Sequence, residues 1–194
     1  MGINSIEKLW KYNMEYTFNS FNAYSVNGLS QALHKNNIKC KKPIIVCVGS
    51  DLVLGDSLGP LVGTLLKKKN LSSYVYGTLN SPITAREVGY VKNYVKKMHP
   101  NSIVIAIDAA IGSEDDIGLI KLKDKGLKPG LGVNKDLDII GDISIIGIVA
   151  GKSENNYNLY NLTRLNLVYK MADVISESLN DYLYAFDEKI KSAL

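Results

Sequence analysis

Two aspartates in this sequence each follow an apolar segment of strand length. Asp56 comes one short loop after the run Pro-Ile-Ile-Val-Cys-Val at residues 43–48, and Asp108 directly follows Ser-Ile-Val-Ile-Ala-Ile at residues 102–107. In an open parallel sheet, sites form beyond the carboxyl ends of the strands, where the strand order reverses. If these two segments are neighbouring strands, both carboxyl groups therefore converge on one crevice.

Converging carboxyl groups favour hydrolytic chemistry. Two such groups a few ångströms apart can share a proton, because both cannot ionise comfortably. One then acts as the base for an attacking water, while the protonated one supports a carbonyl oxygen. Alternatively, both bind a divalent metal ion that activates the water. A purely structural explanation also stays open, since Asp56 precedes a predicted helix as a candidate N-cap and Asp108 is a candidate turn residue.

Residues 55–58 spell Gly-Asp-Ser-Leu, the motif of GDSL-type esterases, with Ser57 as the nucleophile. A serine nucleophile needs a base. Those enzymes carry a histidine near the C-terminus, whereas His34 and His99 both precede residue 100 here. The loop at residues 49–55 also lacks the Gly-Lys-Ser/Thr of a phosphate-binding loop. The esterase hypothesis therefore falls well behind the aspartate pair.

The elements that must position the aspartates alternate along the chain. Apolar runs predict strands at residues 43–48, 74–79, 102–107, 118–122 and 143–149. Apolar residues at helical spacing predict helices over residues 25–34, 58–66 and 84–98, and from about residue 159 to the C-terminus.

This order of elements predicts an α/β fold, a three-layer αβα sandwich with a mostly parallel sheet of about five strands. Right-handed crossovers place the strands at 43–48 and 102–107 side by side if the chain reverses direction after the strand at 74–79. We expect one domain over residues 24–194. The polar and aromatic residues 1–23 lack a clean period, so we expect an arm or a ragged helix there.

Composition excludes several classes of protein. With 46% hydrophobic and 22% charged residues, the chain is typical of globular proteins. No apolar run approaches the ~20 residues of a membrane span, and residues 1–11 lack the apolar region of a signal peptide, so we expect a cytoplasmic protein. The net charge of +4 is modest, and lysines cluster at the ends of predicted helices, which disfavours nucleic-acid binding.

Five ordered motifs carry a family resemblance. They are Gly-Ser-Asp at 49–51 with Gly-Asp-Ser-Leu-Gly-Pro at 55–60, Tyr-Gly-Thr-Leu at 76–79, Asp-Ala-Ala-Ile-Gly at 108–112, Leu-Lys-Pro-Gly-Leu-Gly-Val-Asn-Lys at 127–135, and Gly-Asp-Ile at 141–143 with Gly-Ile-Val at 147–149. Over nearly all of residues 43–180 the chain resembles the YyaC-type spore protease family, sporulation proteins of endospore-forming bacteria. That family is similar to the germination protease, which degrades small acid-soluble spore proteins, and more distantly to hydrogenase maturation endopeptidases.

The resemblance implies a three-layer αβα fold with a two-aspartate site. The surroundings of Asp56 and Asp108 look like those of the two aspartates of the germination protease, and Pro-Gly-Leu-Gly-Val at 129–133 resembles its segment before the last strand. Hydrogenase maturation enzymes bind metal through two carboxylates and a histidine, but no histidine follows His99 here. Where YyaC-type sequences often carry a histidine, this chain has Thr84.

The residues predict a hydrolytic aspartate pair of Asp56 and Asp108, and the resemblance implies that this pair belongs to a sporulation-associated endopeptidase that hydrolyses spore proteins. We expect Lys135 or the backbone N–H groups of residues 130–132 to stabilise an oxyanion. The full set of candidate substrate-binding residues is Asp51, Ser57, Thr84, Gly130, Gly132 and Lys135.

Two alternatives remain at this point. One is a non-catalytic sporulation factor that binds a peptide or protein, and the other is a metal-dependent hydrolase that uses the same two carboxylates. We expect no cofactor other than such a divalent metal ion, and a protein or peptide partner such as the small acid-soluble spore proteins. We expect neither a nucleic-acid nor a membrane partner, and a cytoplasmic location in the sporulating cell or the spore. A homo-oligomer stays open.

Overall fold

The computed structural model describes residues 14–37, 41–69, 71–129, 138–152 and 163–192. Their central feature is a six-stranded sheet between two layers of helices. The strands are β1 (Glu15–Asn19), β2 (Pro43–Cys47), β3 (Val75–Tyr76), β4 (Ile103–Gly112), β5 (Leu119–Lys123) and β6 (Ile143–Gly151). The helices are α1 (Ser25–Asn36), α2 (Leu58–Lys67), α3 (Val88–Met98) and α4 (Leu165–Ser192).

The sheet has the strand order β1-β5-β6-β4-β2-β3. The pairs β3–β2, β2–β4 and β4–β6 are parallel, whereas β6–β5 and β5–β1 are antiparallel. The predicted neighbourhood of the first and third apolar runs is confirmed, because β2 pairs with β4 from Pro43 opposite Ile103 to Cys47 opposite Ile107. The three-layer, mostly parallel fold class is confirmed as well.

The sixth strand comes from the segment that we expected to be an arm or a ragged helix. Residues 15–19 instead form β1, which pairs with β5 at the edge of the sheet. Tyr16 and Phe18 alternate with exposed residues and pack against the core, which is the period of a half-buried strand. The expectation of a helix is therefore wrong for these five residues. Residues 1–13 lie outside the described residues, so the proposed start of the domain at residue 24 stays a prediction.

The sheet separates two apolar cores, because successive side chains of a strand point to opposite faces. On one face, α1, α2 and α4 cover Ile45 and Cys47 of β2. On the other face, α3 covers Ile44 and Val46 of the same strand. We call these the three-helix face and the α3 face. Burial of both faces explains why β2 is apolar at every position.

Several predicted boundaries move. Helix α3 begins at Val88 rather than beside Thr84, although the Thr84 N–H still donates to the Glu87 carboxylate at 2.9 Å, as in a capping box. The strand expected at 74–79 shortens to two residues, because Gly77 turns away with a φ of +85°. No helix in the described ranges combines the length and the apolar character needed to cross a membrane.

Candidate active site

Asp56 sits in a short turn between β2 and α2. Residues Gly55–Ser57 form one turn of 3-10 helix, and the Asp56 N–H donates to the Val53 carbonyl at 3.0 Å. Two glycines bring this turn close to the strand end. A Cβ on Gly59 would lie 2.0 Å from the Val48 carbonyl oxygen, and one on Gly49 would lie 2.1 Å from the Asp56 carbonyl oxygen. The motif glycines therefore permit the approach that places Asp56 over the end of β2.

Asp108 lies on the neighbouring strand, β4, in register with Ile146 of β6. Asp108 is only 9% exposed, and its Oδ1 accepts a hydrogen bond from the Ala109 N–H at 2.9 Å. Because Ala106 packs on the α3 face, the alternation of β4 places Asp108 on that face too. An acidic side chain thus interrupts an otherwise apolar strand.

The two carboxyl groups influence each other electrostatically. Burial raises the pKa of Asp108 well above its ordinary value, the negative charge of Asp56 raises it further, and the Ala109 N–H opposes both effects. Burial also raises the pKa of Asp56, against a hydrogen bond from the Ser50 backbone. The charge of Asp56 raises the pKa of Asp108, but Asp108 does not raise the pKa of Asp56, because a protonated Asp108 carries no charge. The fold therefore brings the two carboxyl groups within electrostatic reach of each other.

The structural explanation for Asp56 is not supported. Ser57 occupies the N-cap position of α2, and within the described residues no side chain makes a capping hydrogen bond there. The Ser57 hydroxyl instead donates to the Leu54 carbonyl at 2.6 Å, inside the preceding turn. Asp56 is thus half-buried without serving the helix as a cap, although burial of a carboxylate is costly.

The other candidate substrate-binding residues are dispersed. Asp51 is exposed at the tip of the loop after β2. Thr84 is closer to the site in the fold, because its neighbour Ile83 pairs with Val48 at the end of β2. The Thr84 hydroxyl donates to the Glu87 carboxylate. Gly130, Gly132 and Lys135 lie outside the described residues, so their roles stay predictions.

Both histidines have aromatic partners. His99 ends α3, and its Nε2 lies 2.7 Å from the Tyr76 hydroxyl. The His34 ring packs edge-on against Tyr182, with ring centroids 4.8 Å apart. Neither partner is the Ser57 hydroxyl, which agrees with the low rank of the esterase hypothesis.

A metal ion of the kind bound by hydrogenase maturation enzymes needs two carboxylates and a histidine. In the part of the chain that the structure describes, no group of three or more His, Cys, Asp or Glu side chains is placed to hold a metal ion. The two aspartates supply a pair of ligands and not a triad. These residues therefore do not fit a three-ligand metal centre.

Sequence reasoning missed a groove of about 380 Å³ next to helix α3. Its walls include Tyr76, Ile83, Tyr90 and Tyr94, which come from three separate segments. The spacing of Tyr90 and Tyr94, four residues apart on one helix, was the available signal. A second cavity, of about 460 Å³, lies between Phe21 and the start of α4. Neither cavity includes the aspartates.

A family model described as "Protein of unknown function (DUF1256)" matches residues 14–178. The chain belongs to the DUF1256 family. It is 45% identical over 154 residues to "Uncharacterized protein YyaC" of Bacillus subtilis (strain 168), an alignment that covers 78% of this chain and 74% of that protein. The resemblance to YyaC-type proteins is thereby confirmed, and the match to DUF1256 includes β1 within the family's domain.

One solved structure is also similar to this DUF1256 member. It is the [NiFe] hydrogenase maturation protease HycI from Thermococcus kodakarensis KOD1. The two chains share 19% sequence identity with a TM-score of 0.48, and the match covers 74% of this chain and 93% of HycI.

Proposed function

We propose that this protein is a peptidase in which Asp56 and Asp108 activate a water molecule against a peptide bond. The observation that carries the proposal is the burial of Asp108 within the central strand β4, one residue beyond its last pair with β2, with the charge of Asp56 raising its pKa. Placing two carboxyl groups close together in a largely buried position costs folding free energy. Pairs of this kind are typical of sites tuned for acid–base catalysis.

The unequal burial of the two groups assigns their roles. Asp108, the more buried, keeps its proton and donates it toward the substrate carbonyl oxygen. Asp56, less buried, is the first to ionise and takes a proton from the attacking water. The water oxygen bonds to the carbonyl carbon, which gives a tetrahedral intermediate. Asp56 then returns its proton to the leaving amine as the C–N bond breaks, and Asp108 recovers its proton from the hydroxyl that becomes the new carbonyl.

We further propose spore proteins as the substrates, and the small acid-soluble spore proteins as the first to test. This part rests on the motifs shared with the YyaC-type family and, through it, on the likeness to the germination protease. The same likeness supports a location of the protein in the sporulating cell. Lys135 and the backbone of residues 130–132 remain the candidates for stabilising the oxyanion.

The test is incubation of the purified full chain with small acid-soluble spore proteins, followed by mass spectrometry of the products. We expect defined fragments from the wild type and a loss of at least 100-fold in rate for Asp56→Asn and for Asp108→Asn. Asp181→Asn, which changes an exposed aspartate of α4, is the matched control and should cleave normally. Equal cleavage by all four proteins ends this mechanism, and tight binding without cleavage supports the non-catalytic alternative.

A further inference from the structure

We propose that the groove lined by Tyr76, Tyr90 and Tyr94 binds an extended, acidic peptide segment. We call it the tyrosine groove; it lies between the end of β3, the turn that leads to Ile83, and helix α3. If the protein is a peptidase, the groove deepens that function by holding the part of the substrate that flanks the scissile bond. Binding in the groove does not itself depend on cleavage.

The groove presents aromatic rings that are already ordered. Tyr90 and Tyr94 are 74% and 40% exposed, yet their rings stack with centroids 6.3 Å apart. The Tyr76 ring packs edge-on against Tyr94 at 6.0 Å, and its hydroxyl lies 2.7 Å from Nε2 of His99. Tyrosines held in this way offer a large contact area at a small cost in conformational entropy, which is typical of binding surfaces.

The position of the groove suits an extended chain. Strand β3 ends the sheet, so one side of its backbone faces no further strand among those described. The neighbouring segment folds back through an antiparallel bridge between Thr78 and Ser81, and Ser81 lines the groove. A peptide that lies along a sheet edge gains main-chain hydrogen bonds, while pockets for alternate side chains supply specificity.

Charge selects the kind of peptide. Helix α3 and the turn before it carry Arg86, Lys92, Lys96 and Lys97 against the single acidic residue Glu87. Glu87 is bound by Thr84, and Lys92 pairs with Asp138 at 3.1 Å. Arg86 stands four residues before Tyr90 and Lys97 three after Tyr94, so cations flank both ends of the aromatic stripe. Such a rim is complementary to acidic side chains.

The groove and Asp108 lie on the same face of the sheet. Ile83 and Tyr76 belong to the apolar core on the α3 face, the face on which Asp108 lies. The Gly49 N–H donates to the Ile83 carbonyl at 2.9 Å, and the Val48 N–H donates to the Ile107 carbonyl at 2.8 Å. Two strand spacings, about 10 Å, therefore separate the groove wall from the strand of Asp108. About three residues of extended peptide span that distance.

The test uses two fluorescein-labelled decapeptides in which leucine alternates with either glutamate or lysine. Fluorescence anisotropy measures their binding to the full chain carrying Asp108→Asn, so that cleavage does not consume the probe. The variants to compare are Tyr90→Ala with Tyr94→Ala, Arg86→Glu with Lys97→Glu, and the matched control Tyr184→Ala, which removes a tyrosine 67% exposed on α4. Circular dichroism checks that each variant is folded, and single Tyr90→Ala serves if the double variant is not.

We expect the glutamate peptide to bind at least tenfold more tightly than the lysine peptide. The tyrosine substitutions should weaken that binding at least tenfold, the charge reversals should remove the preference, and Tyr184→Ala should change neither. Three results would overturn the proposal. The glutamate peptide does not bind at about 1 mM, a concentration that detects even weak recognition; both peptides bind equally; or the tyrosine variants bind as the unsubstituted groove does. Because Asp108→Asn removes the proposed acid, binding without turnover separates the fate of the groove from that of the peptidase.

Discussion

The backbone carbonyl oxygen of Asp56 rests against the α-carbon of Gly49. A Cβ at residue 49 would lie 2.1 Å from that oxygen, and Gly49 has a φ of +139°, a conformation that other residues rarely adopt. This contact holds the turn that carries Asp56 at the end of β2, one strand away from Asp108. The geometry of the aspartate pair thus depends on a residue that has no side chain.

Gly49→Ala should therefore destabilise the fold and disturb the site. We expect a loss of about 3 kcal/mol in the free energy of unfolding, from the strained φ and the displaced carbonyl together. Urea denaturation measures it. Gly89→Ala is the control, because Gly89 lies within α3 and its new Cβ would approach only the Asp138 carboxylate, at 3.1 Å. Equal stability of the two variants would contradict the tight contact.

The raised pKa of Asp108 predicts how stability changes with pH. The folded chain holds this proton more tightly than the unfolded chain, so stability falls as the pH rises from the ordinary value of 3.8 through the higher folded value. Asp108→Asn removes that penalty. We expect the variant to match the wild type in stability near pH 3.5 and to exceed it increasingly as the pH rises toward neutral. Denaturation at several pH values would contradict this if the difference stayed constant.

Asp56→Asn should lower the pKa of Asp108, because it removes the negative charge that contributes to the shift. Burial remains, so the pKa stays above its ordinary value. Carbon-13 NMR titration of the aspartate carboxyl groups measures the change. Asp51→Asn removes an exposed charge from the same loop and should leave the titration of Asp108 nearly unchanged. Identical titration curves in the wild type and Asp56→Asn would show that the two groups do not interact.

Phe18→Ala tests whether β1 is an integral strand of the sheet. Phe18 packs against the core and lies close to Gly28 of α1, where a Cβ would be 2.9 Å from its ring. We expect a loss of about 2–3 kcal/mol on thermal or chemical denaturation, at the lower end for a buried phenylalanine because the ring is only half-buried. Phe21→Ala changes a ring that is 61% exposed and should cost far less. Similar small losses for both would mean that the segment is dispensable.

Much of the fold could be predicted because its signals are local. Fully apolar runs identified β2, β4 and β6, and helical spacing identified α2 and α4. The alternation of these elements and the handedness of crossovers made β2 and β4 neighbours on one further assumption, that the chain reverses direction after the second predicted strand, and the structure confirms their pairing. The expectation that Asp56 and Asp108 lie near each other, toward the carboxyl ends of these strands, followed from that adjacency.

Other elements could not be read in this way. Strand β1 carries only two core-facing residues, Tyr16 and Phe18, so its period of two was too short to stand out from an irregular aromatic segment. Strand β3 ends early because Gly77 fits against the Cys47 carbonyl, a contact between distant parts of the chain.

The sequence by itself determined the layer order and the candidate aspartates, since each depends on the type and spacing of neighbouring residues. It limited the strand order without fixing it, and the pairing of β2 with β4 was decided by the fold. Only the tertiary structure decided that Asp108 is buried on the α3 face within reach of the charge of Asp56, and that Tyr76, Ile83 and Tyr90 line one groove. Burial and electrostatic coupling arise from atoms brought together by folding, and no local pattern encodes which distant segments those will be.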